Sequence, residues 1–151
     1  MIESVKIIIS LTPVFLFLAA LIFLDSYKLV KLRSVLFTIF IGGAVAVICL
    51  LLNSWLLELS SSNITAYKRY AAPIIEEFLK AVYLIYLIKT KKVGFLVDAA
   101  ICGFAVGAGF ALIENIYYLM AVESSDLLLW LVRGCGTAIL HGGPMAIMGI
   151  I

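Results

Sequence analysis

The stretch Pro73-Ile74-Ile75-Glu76-Glu77-Phe78-Leu79-Lys80 places three ionisable side chains inside a segment that is otherwise apolar from about Tyr70 to Ile88. A segment of about 20 apolar residues is long enough to cross a bilayer as a helix. An ionisable group inside such a span costs at least about 2.5 kcal/mol and by default marks a functional site. The cluster Glu76, Glu77 and Lys80 therefore predicts a membrane-spanning helix that carries a site.

The composition of the whole chain is that of an integral membrane protein. Of the 151 residues, 65% are apolar and 13% are charged, whereas soluble domains carry about 25% charged residues. We expect residues 1–151 to form a single transmembrane domain surrounded by membrane lipid. The sequence has no basic run and no Gly-rich phosphate loop, so no nucleic-acid partner is expected.

Five apolar stretches follow one another, separated by short charged connections. They cover about residues 7–24, 35–57, 70–88, 94–120 and 127–151. Short connections favour antiparallel neighbours, so the predicted fold is an all-α polytopic membrane helix bundle. Cys49, Cys102 and Cys135 all lie inside apolar stretches without CxxC spacing, and we expect them to be free packing residues.

The positions of the basic residues predict the orientation of the bundle. The first and third connections hold most of them, namely Lys28, Lys31, Arg33, Lys89, Lys91 and Lys92. Basic residues favour the cytoplasmic side of a membrane. The first and third loops are therefore predicted to be cytoplasmic, with the N-terminus outside the cell membrane.

Polar side chains on three of the predicted helices lie at comparable depths. At a rise of about 1.5 Å per residue, Glu76 lies about 10 Å from the outer end of its span, Glu114 about 13 Å and Arg133 about 10 Å. His141 lies deeper, at about 22 Å. Glu76 and Lys80 are about 40° apart around their helix and can face one cavity. The three helices are therefore predicted to share one polar site.

The fourth stretch also carries a signal for close helix packing. Gly103 and Gly107 have the small-xxx-small spacing that lets a neighbouring helix approach closely, and Glu114 continues the same stripe. A purely structural interpretation stays open, in which Glu77 with Lys80 and Glu114 with Arg133 are buried ion pairs.

Three motifs, taken together, resemble those of the PrsW family of intramembrane proteases, within the wider CAAX-protease/Abi superfamily. Residues 73–80 resemble the family's E-E-x-x-K motif, and residues 109–118 (GFALIENIYY) resemble its F-A-x-x-E-N motif. Arg133 followed by His141 and a small-residue tail to Gly149 resembles the third motif. The motifs occur in family order and cover about half of the chain.

The resemblance implies a bacterial membrane endopeptidase that cuts a membrane or membrane-proximal protein, as some members cut anti-sigma factors. It implies catalytic roles for Glu76, Glu77 and His141. It implies supporting roles for Lys80, Glu114, Asn115 and Arg133. The family also has a second histidine, whereas His141 is the single histidine here. Either these residues are a fragment, or this member lacks part of the site.

Two mechanisms and two other functions stay open. Burial and like charge disfavour charging both neighbouring acids, so one would act as general base while the other donates a proton. Glu76 is the preferred base because it shares a helix face with Lys80, and His141 would polarise the scissile carbonyl or protonate the leaving amine. Alternatively, His141, Glu76 and Glu114 would be candidate ligands for zinc. The same residues would also suit a proton- or cation-coupled transporter or a non-catalytic membrane scaffold.

Overall fold

A computed structural model describes residues 2–24, 30–60, 63–90, 93–124 and 126–151. Throughout these ranges the chain forms helices and short connections without any strand, which confirms the all-α prediction. The helices are α1 (Ile2–Leu24), α2 (Leu32–Ser60), α3 (Ile64–Ala66), α4 (Ala72–Lys89), α5 (Leu96–Ala121) and α6 (Leu127–Ile150). Lys28, Lys91 and Lys92, which contribute to the predicted orientation, lie outside the described residues.

Of the helices that the structure describes, three are long and apolar enough to cross a membrane. They cover Ser4–Phe23, Leu32–Leu59 and Leu96–Ala121. Helices α4 and α6 instead carry the ionisable side chains of the predicted site, which lower their hydropathy. The chain is therefore a helical membrane protein, and the total of five spans stays a prediction.

Helix α5 is the central element of the bundle. Every residue from Ile101 to Ala111 is buried, because α5 packs against α1, α2, α4 and α6. A helix that is apolar on all sides is expected in such a position. Its polar residues Glu114 and Asn115 follow directly after this buried stretch, so they are presented from the middle of the fold.

Glycines bring α6 and α2 unusually close to α5. A Cβ atom on Gly103 would overlap the backbone of Met145, and one on Gly107 would overlap the carbonyl group of His141. On the opposite face, a Cβ on Gly109 would overlap the carbonyl group of Ile39 in α2. The close helix approach predicted from Gly103 and Gly107 is therefore present, and it sets the backbone of His141 directly against α5.

The connection between α2 and α4 is itself helical. Asn63 caps α3 by accepting hydrogen bonds from the backbone amides of Thr65, at 3.0 Å, and Ala66, at 3.4 Å. A π-helical turn, Tyr67–Ala71, then leads into α4. Pro73 lies in the first turn of α4 and has no N–H to donate to the π-helical turn that precedes it. This arrangement delivers Glu76 and Glu77 one turn into α4.

Candidate functional site

A cavity of about 650 Å³ lies between α2, α4, α5 and α6. Its lining is mixed: apolar side chains come from all four helices, most of the ionisable ones come from α4, α5 and α6, and α2 adds the amide of Asn53. Five residues of the predicted site line it, namely Glu76, Glu77, Glu114, Arg133 and His141. The structure thus brings the acidic pair of α4, the acid of α5 and the basic residues of α6 to one opening in the bundle.

His141 lies at the centre of a hydrogen-bonded group that we call the His141 network: Glu77, Lys80, Glu114, Arg133 and His141. Its Nε2 is 2.7 Å from Oε2 of Glu114, and its Nδ1 is 2.9 Å from Nζ of Lys80. The other oxygen of Glu114 accepts a hydrogen bond from Nη2 of Arg133 at 3.3 Å. The network therefore joins α4, α5 and α6 through one imidazole ring.

The partners of the ring assign its tautomer. A lysine ammonium group can only donate hydrogen bonds, and a carboxylate can only accept them. Nδ1 of His141 must then accept from Lys80 while Nε2–H donates to Glu114, an assignment made from the network and not from observed hydrogens. Both ring nitrogens are thus occupied by protein groups.

Lys80 is the most deeply buried charge of the network. Its side chain is 0% exposed and forms an ion pair with Oε1 of Glu77, whose side chain is 35% exposed. The ring of Phe110 lies 4.3 Å from Nζ of Lys80 and 4.8 Å from the ring of His141. Such a ring face attracts a cation. Phe110 therefore holds the ammonium group and the imidazole in contact.

Glu76 has surroundings of a different kind. Its Oε1 accepts a hydrogen bond from Nδ2 of Asn53 at 3.2 Å, and Oδ1 of Asn53 accepts one from the hydroxyl group of Tyr67 at 2.9 Å. The sequence reasoning preferred Glu76 as the base because of a shared face with Lys80. In the structure the ammonium group of Lys80 pairs with Glu77 instead, so that reason no longer applies.

Asn115 serves the packing of the helices beside the cavity. It is 0% exposed, and its Nδ2 donates to Oγ1 of Thr137 at 2.8 Å and to the carbonyl oxygen of Ser10 at 3.5 Å. It thus ties α5 to α6 and α1, while its neighbour Glu114 faces the cavity.

Arg133 is held by an acid and by an aromatic ring. Its guanidinium group is in contact with Glu114, and its Cζ lies 3.5 Å from the ring centre of Tyr118. The Nε atom is buried, and no described residue accepts a hydrogen bond from it. The predicted ion pairs Glu77–Lys80 and Glu114–Arg133 are therefore both present, and His141 links them.

The arrangement does not form a ready metal site. Within the described ranges, no three His, Cys, Asp or Glu side chains are grouped so that they could hold a metal ion. His141, the best of the candidate ligands, has the ammonium group of Lys80 at Nδ1 and Glu114 at Nε2. A cation would have to displace one of these partners. The donor set as placed does not fit the three-ligand zinc centre of a hydrolase.

Sequence reasoning missed the residues that surround the ionisable groups. Asn53, Tyr67, Phe110 and Tyr118 were given no role at the site. Of these four residues, only Asn53 could have been found from the sequence, because a polar amide inside a long apolar stretch needs a hydrogen-bond partner. The aromatic residues gave no comparable signal, since aromatic side chains are common in apolar helices.

Comparison with protein-family models identifies the family of this chain. A family model described as PrsW family intramembrane metalloprotease matches residues 31–151. No curated protein and no solved structure matches the chain significantly.

Proposed function

The chain belongs to the PrsW family of intramembrane metalloproteases, and on that premise we propose that it hydrolyses peptide bonds of a membrane or membrane-proximal protein in the cavity between α2, α4, α5 and α6. The observation that supports this best is the convergence of three acids and a histidine on one opening of about 650 Å³. A water molecule and an extended peptide segment both need such an opening next to a base.

Glu76 is the proposed general base. Glu77 is engaged by Lys80, and Glu114 by both His141 and Arg133. Among described residues, only the neutral Asn53 hydrogen-bonds Glu76. A carboxylate oxygen of Glu76 can then take a proton from water while the oxygen of that water attacks the scissile carbonyl carbon. The same proton, returned to the leaving nitrogen, completes the hydrolysis without any net change at the residue.

Two members of the His141 network, the cation Arg133 and the N–H donor His141, would stabilise the oxyanion where it develops. Preorganised donors aimed at that charge are among the largest contributions to enzymatic catalysis. His141 and Arg133 both line the cavity, and Glu114 holds both of them in place. In this proposal the Nε2–H of His141 exchanges Glu114 for the carbonyl oxygen and so polarises the carbonyl group. Lys80, held by Glu77, orients the ring from Nδ1, and Asn115 acts through the packing of α5 on α6.

The family is described as a metalloprotease family, and zinc is the metal that the sequence left open as an alternative mechanism. With the described residues arranged as they are, no step of this proposal passes through a metal ion. Metal analysis of the purified full-length protein measures its zinc content directly. Cleavage that survives rigorous chelation would overturn zinc dependence.

The substrate is proposed to reach the cavity from the membrane. Large apolar side chains of α2 face outward, with Phe40 71% exposed and Leu51 69% exposed, which suits contact with lipid. A membrane-anchored substrate, of which anti-sigma proteins are the type suggested by the resemblance, would meet the protein in that same plane. We also propose that the first and third loops are cytoplasmic, as the basic residues predict.

The direct test uses the full-length protein in liposomes with a library of single-span transmembrane peptides, and mass spectrometry of the products. We expect wild type to cleave a subset of the peptides. Glu76→Gln, Glu77→Gln and His141→Ala should abolish cleavage, whereas Tyr70→Phe, a change at an exposed residue of the π-helical turn, should retain it. Products that persist in all three site variants would refute the proposal. Proton flux that is lost in the same variants, with no cleavage by wild type, would favour a transporter.

A further inference from the structure

The hydrogen bonds around Glu76 form a relay that begins outside the three family motifs. The hydroxyl group of Tyr67 donates to Oδ1 of Asn53 at 2.9 Å, and Nδ2 of Asn53 donates to Oε1 of Glu76 at 3.2 Å. Tyr67 comes from the π-helical turn, Asn53 from α2 and Glu76 from α4. All three side chains line the cavity.

Each hydrogen bond of the relay is donated in the same direction, from Tyr67 to Asn53 and from Asn53 to Glu76. An amide group carries an acceptor oxygen at one end and a donor nitrogen at the other. With the phenol of Tyr67 donating to the oxygen of Asn53, the amide nitrogen is turned toward Glu76. A flipped amide would place two acceptors, the amide oxygen and the carboxylate, against each other. The carboxylate therefore selects the orientation of the Asn53 amide, and this leaves Oδ1 of Asn53 to accept from Tyr67. Tyr67 holds the amide at that end, and Asn53 holds one oxygen of Glu76.

The π-helical turn explains how Tyr67 reaches this side of the structure. Tyr67 and Glu76 are nine residues apart, and in a continuous α-helix about 100° per residue would leave them about 180° apart, on opposite faces. A π-helical turn takes up one extra residue, which removes about 100° of that separation. The turn Tyr67–Ala71 thus rotates Tyr67 toward the cavity into which Glu76 points.

From this geometry we propose that Tyr67 and Asn53 are positioning residues for Glu76: they hold one carboxylate oxygen and leave the other directed at the reacting water. The proposal rests on the proposed function, since it assumes that Glu76 is the base. It assigns a reaction role to the π-helical turn and to α2, neither of which carries a family motif.

The test compares cavity variants with matched controls, using a transmembrane peptide that wild type cleaves. Asn53→Leu should lower kcat about tenfold or more, and Tyr67→Phe about three- to tenfold, because each removes one hydrogen bond of the relay. KM should not change, since neither residue is proposed to bind substrate. The controls are Tyr70→Phe, on the same turn but 65% exposed, and Ser54→Ala, whose hydroxyl bonds only the carbonyl of Leu50 in its own helix among described residues.

The double variant of Tyr67 and Asn53 provides the sharper measurement. If Tyr67 acts through Asn53, adding Tyr67→Phe to Asn53→Leu should lower kcat no further, since residues in one network are not additive. Losses that multiply would overturn the relay. So would a kcat for both single variants equal to that of the controls, or a rise in KM in place of a fall in kcat.

The outcome for Glu76 separates the two proposals. Loss of cleavage in Glu76→Gln with unaffected relay variants would refute the relay alone. Full cleavage by Glu76→Gln would refute Glu76 as the base and the relay with it. Thermal unfolding of each variant, compared with wild type, shows whether a loss of activity is caused by a loss of the folded structure. Tyr67→Phe keeps the aromatic ring and therefore preserves the packing.

Discussion

Replacing Gly107 by alanine tests whether the close approach of α5 and α6 sets the position of His141. An added Cβ would lie 2.6 Å from the Cα of Gly142 and closer still to the carbonyl group of His141, against an ordinary contact distance of 3.4 Å or more. Because these distances fall short of an ordinary contact by about 1 Å and packed backbones do not compress, α6 must move away from α5 by about 1 Å. Gly107→Ala therefore displaces His141 without altering any ionisable group.

The displacement is large enough to break the His141 network. The contact of His141 with Glu114 is 2.7 Å and that with Lys80 is 2.9 Å. Lengthening either by about 1 Å passes the limit of a useful hydrogen bond. Overpacking costs about 1–3 kcal/mol, offset by about 1 kcal/mol from replacing a helical glycine by alanine. We expect a net loss of stability of up to about 2 kcal/mol, with cleavage reduced at least tenfold by the misplacement.

The matched control is Gly143→Ala. A Cβ on Gly143 would meet nothing within 4 Å, so this variant receives the same gain in helix propensity without the clash. Thermal unfolding in detergent micelles and cleavage in liposomes measure both variants. The Gly107 variant should be less stable than the control by about 1–3 kcal/mol. Equal stability and equal cleavage in the two variants would refute the reasoning.

Three further predictions concern the buried charge, the helix packing and the orientation. Lys80→Met takes the ammonium partner from the half-buried carboxylate of Glu77 and should destabilise the fold by about 3 kcal/mol. Adding Glu77→Gln should recover part of that loss, and no recovery would contradict the pair. Asn115→Leu removes a buried hydrogen bond between α5 and α6 and should cost about 1 kcal/mol in thermal unfolding; an unchanged midpoint would contradict its packing role. In a background without native cysteines, an impermeant thiol reagent added outside cells should label Glu123→Cys but not Thr90→Cys; the reverse labelling would invert the predicted orientation.

Features with a local origin could be predicted from the sequence. The apolar stretches predict helices because twenty consecutive apolar residues have few other stable conformations in a membrane. Gly103 and Gly107 share a stripe with Glu114 because helical spacing alone decides which residues share a face. The same rule made an ion pair between Glu77 and Lys80 predictable at i, i+3.

Features that depend on pairs distant in the sequence could not be predicted. Helical phase could not decide whether Lys80 would pair with Glu76 or Glu77, since both lie within reach on α4. In the structure Lys80 contacts both Glu77 and His141 of α6, and the position of α6 cannot be read from the sequence of α4. The contact between Asn53 and Glu76 joins two helices through residues that are 23 positions apart in the sequence. The π-helical turn has no residue signature of its own, and without it Tyr67 is assigned to the wrong face.

The balance of charge in the cavity gives a physical reason to separate Glu76 from the other acids. In the His141 network the carboxylates of Glu77 and Glu114 are offset by Lys80 and Arg133. Burying such pairs is tolerable only when each charge has its partner, and carboxylates held in this way already have oxygens occupied by protein donors. Within the described residues Glu76 forms no ion pair, and its hydrogen bond comes from a neutral amide. The structure thus gives one acid a neutral hydrogen-bond donor while it pairs the neighbouring acids with cations, and this difference is the reason to propose Glu76 as the base.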